Sequence, residues 1–177
     1  AAAGGLGLAA VQLARHLGAR VFATAGSKDK CQIAEESGAE LAVIYRNPNW
    51  RSELMTATEG RGVDIVFDSV GGEVTKESIK CLAWQGRLLI VGFSSGNLPN
   101  LPAHLLLLKN ASAIGVYWSH ERNPKMLADI GRQLVQLFET GIIQPIIHNP
   151  YGFSDLPQAL QDLQDRASVG KLVMRFD

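Results

Sequence analysis

The stretch Ala1-Ala2-Ala3-Gly4-Gly5-Leu6-Gly7-Leu8-Ala9-Ala10, continued by VQLARHLGAR (11–20) and VFATAGSKDK (21–30), decides how the whole chain is read. Apolar residues at Leu6, Ala10, Leu13, Ala14 and Leu17 recur at helical spacing, and Gly18 stands where a helix wants a left-handed stop. A loop of small residues therefore opens directly into an amphipathic helix. Residues 20–25 form a short apolar run bounded by Gly26-Ser27, which suits a strand buried on both faces. Ser27 then caps a helix reaching residue 37, ended by Gly38.

A glycine-rich loop that enters a helix presents unpaired backbone N–H groups and the positive end of the helix dipole, which together attract a diphosphate. The dinucleotide-binding pattern is GxGxxG; here Ala2, Gly4 and Gly7 make it AxGxxG. An Ala/Gly-rich helix start packed against a neighbour would have the same composition. The order that follows, helix then buried strand then polar turn, is the one a mononucleotide-binding unit requires, and it favours the dinucleotide reading.

Working outward, strands are predicted over 41–45, 63–67 and 87–91, alternating with helices over 50–58 and 74–82. Such alternation implies parallel crossovers and an α/β fold with a Rossmann doubly wound parallel sheet. A Gly/Ser/Asn/Pro-rich loop spans 93–102, long enough to be functional. A short leucine-rich helix, a strand over 112–118 and a helix over 124–140 ended by Gly141 complete the expected sheet domain, residues 1–141. Beyond it Gln144-Pro145, Asn149-Pro150 and Gly152 break the alternation, leaving a helix over 154–165 and a strand over 171–176 in a separate segment, 142–177. One strand is missing from this scheme: the one that should precede the glycine loop, central in the order 3-2-1-4-5-6. The first residue is accordingly read as an artificial or domain boundary.

With 177 residues and 46% hydrophobic content the chain can bury one good core and little more. Seventeen basic and seventeen acidic side chains cancel, so no general attraction to nucleic acid or anionic lipid is expected. Cys31 and Cys81 match no metal-site spacing and make a poor disulfide framework, which fits a reducing, intracellular compartment. The longest aliphatic run, 105–108, falls far short of the ~20 residues that cross a bilayer. A soluble protein without membrane or nucleic-acid partners is expected.

The choice of dinucleotide turns on the end of the strand after the glycine loop. An NAD site carries Asp or Glu about 20 residues beyond the loop, whereas a 2′-phosphate is repelled by a carboxylate and wants cations or hydroxyls. Counting on leads to Gly26-Ser27-Lys28-Asp29-Lys30, with Ser27 at the strand end and Lys30 one helical turn along. Taken singly, Ser27 reads as an ordinary N-cap and Lys30 as a solvated lysine. Together with Tyr45-Arg46 at the end of the next strand they favour NADPH. Asp68, Ser69 and Val70 follow one later strand, and Gly92, Phe93 and Ser94 follow the next, so both loops open at the carboxyl edge. The structural alternatives are that Asp68 caps the following helix and that Phe93 covers the core. His16, His104, His120 and His148 lie in separate segments with no cysteine or carboxylate at metal-ligand spacing. Ser69 lacks a nucleophile-elbow context, and no general acid stands out.

The segments AAAGGLGLAAVQLARHLGARVFATAGS, VDIVFDSVGG, GRLLIVGFSSG, LPAHLLLLKN and IGVYW, in unbroken order over nearly the whole chain, resemble the cofactor domain of quinone oxidoreductases. These form a zinc-independent branch of the medium-chain dehydrogenase/reductase superfamily with bacterial, mitochondrial and zeta-crystallin-like members. The resemblance implies diphosphate contacts at Gly4, Gly5, Leu6 and Gly7, and 2′-phosphate contacts at Ser27, Lys30 and Tyr45. The family's tyrosine follows an asparagine where this chain has Ile44. It further implies that Arg166 helps hold the cofactor and that Asp68, Ser69, Val70, Gly92, Phe93 and Ser94 line the nicotinamide and its ribose. By the same resemblance, 142–177 return to a GroES-like catalytic domain and strand 112–118 pairs across a homodimer; from the residues themselves, no catalytic residue is expected within these positions. The implied reaction is hydride delivery from NADPH to a quinone or electron-poor alkene, in the cytoplasm or alternatively the mitochondrial matrix, with the isolated portion inactive. Two other readings stay open: a noncatalytic NADPH-binding protein, and the enoyl-reductase domain of a polyketide or fatty-acid synthase, which shares AAAGG and ARHLGA.

Overall fold

Helices and short parallel strands alternate along the chain in the computed structural model, which describes residues 1–147 and 150–176. They gather into two compact units, one of Ala1–Ile44 with the described part of Ala128–Asp177, the other of Tyr45–Leu127.

The first unit begins with helix α1, Gly5–His16, followed by strand β1, Phe22–Ala25, helix α2, Lys28–Glu36, and strand β2, Leu41–Ile44. The two strands pair in parallel, Phe22 opposite Leu41 and Ala25 opposite Ile44. Leu17 is the C-cap of α1, and Gly18, at φ +83°, takes the left-handed position that ends it. The core between helices and strands is built from small residues, Val11, Ala23, Ala34 and Ala39, with Ala2, Val21 and Ala42 against them. Alanines here let the helices settle closely on the sheet.

Two further strands in this unit, β6 (Tyr151–Gly152) and β7 (Met174–Arg175), pair in parallel around a single 3₁₀ turn, Phe153–Asp155, and a helix, Leu156–Gln164, labelled α7. This last stretch is sewn to the start of the chain. Gln12 and Gln144 exchange hydrogen bonds, the Gln12 amide donating to the Gln144 carbonyl at 3.0 Å and the Gln144 N–H to Gln12 Oε1 at 2.9 Å. The Gly170 N–H donates to the Ala3 carbonyl at 2.9 Å.

In the second unit helix α3, Trp50–Ala57, precedes a three-stranded parallel sheet of order β3 (Val63–Asp68), β4 (Leu82–Ile90) and β5 (Ser112–Gly115). Helix α4, Gly72–Lys80, and helix α5, Ala103–Lys109, are the crossovers. Its core centres on Ile79, Leu82 and Leu88, all fully buried, with Val66, Ile90, Leu105 and Leu106 around them. Burying a side chain of this size stabilises the fold by roughly 1.5–3 kcal/mol. Within each sheet the order is that of adjacent members of 3-2-1-4-5-6: β1 and β2 match positions 2 and 3, and β3, β4 and β5 match positions 4, 5 and 6.

Several expected boundaries move. The helix expected over 74–82 and the strand over 87–91 both begin earlier. A buried Asp68 turn starts α4 at Gly72, and Leu82 already pairs with Val63 before an irregularity around Gln85, at φ +60°, restores the ladder at Arg87. The strand expected over 112–118 pairs only as far as Gly115, with one more bond from the Val116 N–H to the Ile90 carbonyl, because its partner β4 ends at Ile90. Tyr117 and Trp118 beyond it are exposed. The strand expected over 20–25 starts at Phe22, its Phe22 and Thr24 side only half-buried. The strand expected over 171–176 is regular only at Met174–Arg175, and β6 was not anticipated. His148 and Asn149 lie outside the described residues. The sixteen-residue α6, Pro124–Glu139, keeps its expected place; Met126, Ile130, Leu134 and Phe138 along one face are exposed.

Burial pushes the Cys81 thiol up to about 11. Cys81 therefore remains a thiol at neutral pH and is expected to resist iodoacetamide at pH 8 until the protein is unfolded in urea, as mass spectrometry of the labelled chain would read. Truncating the fully buried Leu88 to alanine should lower the unfolding free energy by about 2–5 kcal/mol, measured from the urea midpoint; an unchanged midpoint would mean that this core is not closed.

Candidate dinucleotide-binding site

The start of α1 is built from glycine. Gly4 is its N-cap in extended conformation, φ −81° and ψ 166°, no side chain caps the helix, and no acidic residue stands in its first turn. Glycine offers no side chain to cap the first-turn amides, and no carboxylate of the helix's own first turn offsets the positive end of the dipole. The loop is pinned to the carboxyl end of β1, since the Ala2 N–H donates to the Thr24 carbonyl at 2.9 Å.

Each glycine of the loop meets a different demand. A Cβ on Gly7 would lie 2.3 Å from the Ala1 carbonyl oxygen and 2.7 Å from Ala2 Cα, so only glycine lets the helix lie against the preceding turn. A Cβ on Gly4 would meet only the Ala1 carbonyl oxygen, at 3.8 Å. No side chain crowds the Gly4 position, and it stands at the positive end of the helix dipole, which suits an approaching phosphate.

At the end of β1, Ser27 is the N-cap of α2, its Oγ accepting from the Lys30 backbone N–H at 3.4 Å. The plainer reading of that serine is thus realised, although its hydroxyl stays exposed. Lys30 is not a solvated lysine. Its ammonium donates to the Arg166 carbonyl and, at 2.9 Å, to the Ser168 carbonyl. Arg166, at φ +56°, sits in the left-handed turn that follows α7, with its side chain exposed. Ser27, Lys30 and Arg166 therefore share one corner of the first unit.

In the second unit, Tyr45 is the residue after β2, half-buried, with the Arg46 guanidinium 5.9 Å from its ring centroid. The loops after β3 and β4 run side by side: the Val91 N–H donates to the Asp68 carbonyl at 2.8 Å, the Ser94 N–H to the Ser69 carbonyl and the Ser95 N–H to the Val70 carbonyl, both at 3.0 Å. Asp68 is buried, and its carboxylate is taken up locally. One oxygen accepts from the Val70 N–H at 2.8 Å and the Gly71 N–H at 3.2 Å; the other accepts from the buried Thr75 hydroxyl. Asp68 thus shapes the loop, while Ser69 and Val70 present its surface. Phe93 and Ser94 are exposed and Gly92 half-buried, so Phe93 does not serve mainly to cover the core.

Sequence reasoning missed the part played by 167–171. Gly170, at φ +63°, pairs beside Gly4, and a Cβ on it would lie 2.0 Å from the Ile146 carbonyl oxygen. The signal was available in Val169-Gly170-Lys171, a glycine ahead of a strand. His16, His104 and His120 are exposed, and no cluster of three metal-ligating side chains occurs among the described residues. No helix among them is long and apolar enough to cross a membrane.

A family model described as zinc-binding dehydrogenase matches residues 5–132. The chain is 38% identical, over 98% of its length, to a quinone oxidoreductase-like protein 2 homolog of Nematostella vectensis, of which it covers 48%. It is 34% identical, over its whole length, to a highly reducing polyketide synthase of Didymella fabae, of which it covers 10%. Among solved structures it is similar to an Escherichia coli quinone oxidoreductase complexed with NADPH, at 30% identity and a TM-score of 0.86, over 98% of this chain and 55% of that one. The chain spans about half the length of the quinone oxidoreductase-like relatives it matches.

Replacing Asp68 by alanine should strand the buried Thr75 hydroxyl and two loop amides. A loss of about 1–3 kcal/mol in stability is expected in thermal unfolding, and an Asp68→Ala protein as stable as the parent would deny the carboxylate its structural part.

Proposed function

Because the chain belongs to the zinc-binding dehydrogenase family and its fold is the Rossmann-like cofactor domain of the medium-chain dehydrogenases and reductases, we propose that it binds NADPH. On this reading it is the cofactor-binding portion of a zinc-independent, quinone oxidoreductase-like reductase. The observation that carries the proposal is the uncapped, acid-free helix start at Gly4 to Gly7, with Ser27 and Lys30 rather than a carboxylate at the end of the adjoining strand. Gly4, Gly5, Leu6 and Gly7 offer amides to the diphosphate. Ser27, Lys30 and Tyr45 take the 2′-phosphate, Arg166 helps hold the cofactor, and the charge-assisted contact from Lys30 contributes about 1.5–3 kcal/mol. Asp68, by holding its loop, keeps Ser69 and Val70 beside the nicotinamide ribose, together with Gly92, Phe93 and Ser94.

Bound NADPH supplies a hydride to a quinone or an electron-poor alkene, and the protein supplies position and electrostatics. No residue of this chain is assigned general-acid work. Residues 1–141 make up the nucleotide-binding domain, and 142–177 return to a GroES-like catalytic domain, so the portion alone is inactive. Edge pairing of 112–118, where Tyr117 and Trp118 are exposed, forms a homodimer. The enzyme works inside the cell, in the cytoplasm or the mitochondrial matrix.

A second reading has its own support in the polyketide synthase similarity: the enoyl-reductase domain of a large synthase. Turnover of NADPH with a quinone panel against enoyl thioesters, on the full-length protein, separates the two. Tight binding without oxidation of either would instead favour a noncatalytic NADPH-binding protein.

Lys30→Glu should weaken NADPH by tenfold or more while changing NADH much less, as titration of nucleotide fluorescence would show; equal loss for both removes the 2′-phosphate assignment. Gly4→Val should fill the open space beside the amides and abolish binding of both nucleotides. Undisturbed affinity would mean the cradle lies elsewhere.

A further inference from the structure

One cation lies where helix electrostatics alone disfavours it. The Lys171 side chain crosses the first residue of α1: a Cβ built on Gly5 would stand 2.6 Å from Lys171 Cδ, 2.7 Å from Cε and 3.0 Å from Nζ. The backbone holds it there from two sides. The Lys171 N–H donates to the Ile146 carbonyl at 2.8 Å, and the preceding Gly170 pairs with Gly4 and donates to the Ala3 carbonyl at 2.9 Å.

A lysine is favoured at the end of a helix and disfavoured at its start, where the amides already carry partial positive charge. No acidic residue in the first turn of α1 offsets it, and no ion pair among the described residues includes Lys171. Two positive features this close repel each other, and an anion placed between them turns the arrangement favourable.

We propose that Lys171 is a further positioning residue for the cofactor, laying its ammonium against the diphosphate while the α1 amides hold it from the other side. This rests on the NADPH reading above. The diphosphate is common to NADPH and NADH, so Lys171 contributes affinity without choosing between them, whereas Lys30 chooses. The pair divides the work: Lys30 ties down the 166–168 turn through its carbonyls, and that turn leads directly into Gly170-Lys171.

The test uses the full-length protein, with NADPH and NADH titrated separately by fluorescence into the parent, Lys171→Met and Lys171→Arg. Methionine keeps an apolar stem over Gly5 and removes the charge. Lys171→Met is expected to weaken both nucleotides by the same factor, about tenfold, and to flatten the salt dependence of binding, with the nucleotide-free melting temperature unchanged. Lys171→Arg should retain most of the affinity. Parental affinity in Lys171→Met, or a loss confined to NADPH, overturns the proposal while leaving the cofactor reading in place. A parent protein that takes up neither nucleotide overturns that reading as well.

Discussion

The first unit is arranged around a helix that begins on glycine, with no capping side chain and no acidic residue in its first turn to offset its dipole. Most helices end in a cap because an orphan N–H without water or partner is costly. The start of α1 has neither a capping side chain nor an acidic first turn, and its N-cap is glycine. The neighbouring features hold that glycine start rigid. Gly7 allows the helix to lie against the turn before it, and the bond from Ala2 to Thr24 fixes the loop on β1.

Parallel pairing brings further functional segments to strand ends. A parallel strand must be reached by a crossover, so each strand's carboxyl end passes into a loop that is free to vary while the ladder stays regular. In the second unit this yields two loops joined by backbone hydrogen bonds beyond β3 and β4, stiffened by a buried carboxylate whose acceptor oxygens are all directed inward. Asp68 is thereby an architectural residue of the loop whose neighbours carry the surface.

The last forty residues change the character of the first unit. Gln144 clasps Gln12, Gly170 pairs beside Gly4, and Lys30 holds the carbonyls of 166 and 168. A segment remote in sequence therefore contributes to the glycine loop's immediate surroundings. It does so mainly through main-chain groups, which any sequence could offer and which no side-chain pattern announces.

Local patterning was enough for the class of fold, the succession of helices and strands, and the glycine loop with its serine and lysine at the next strand end. Those features depend on helical and strand periodicity, on glycine stops and on short-range spacing, all of which are written along the chain. It also located both carboxyl-edge loops. It misplaced the start of β4, since the Gln85 irregularity is forced by pairing with β3, and it overextended β5, since a strand can be no longer than the partner that bonds it. Nor could it choose between Ser27 as cap and as ligand, or Asp68 as cap and as lining. That the Lys30 ammonium turns to carbonyls 136 and 138 residues away, and that Lys171 lies over Gly5, was decided only by tertiary structure. The reason is physical: secondary structure is set by neighbours a few residues apart, whereas the direction of a long cationic side chain is set by whichever acceptors the fold brings within reach.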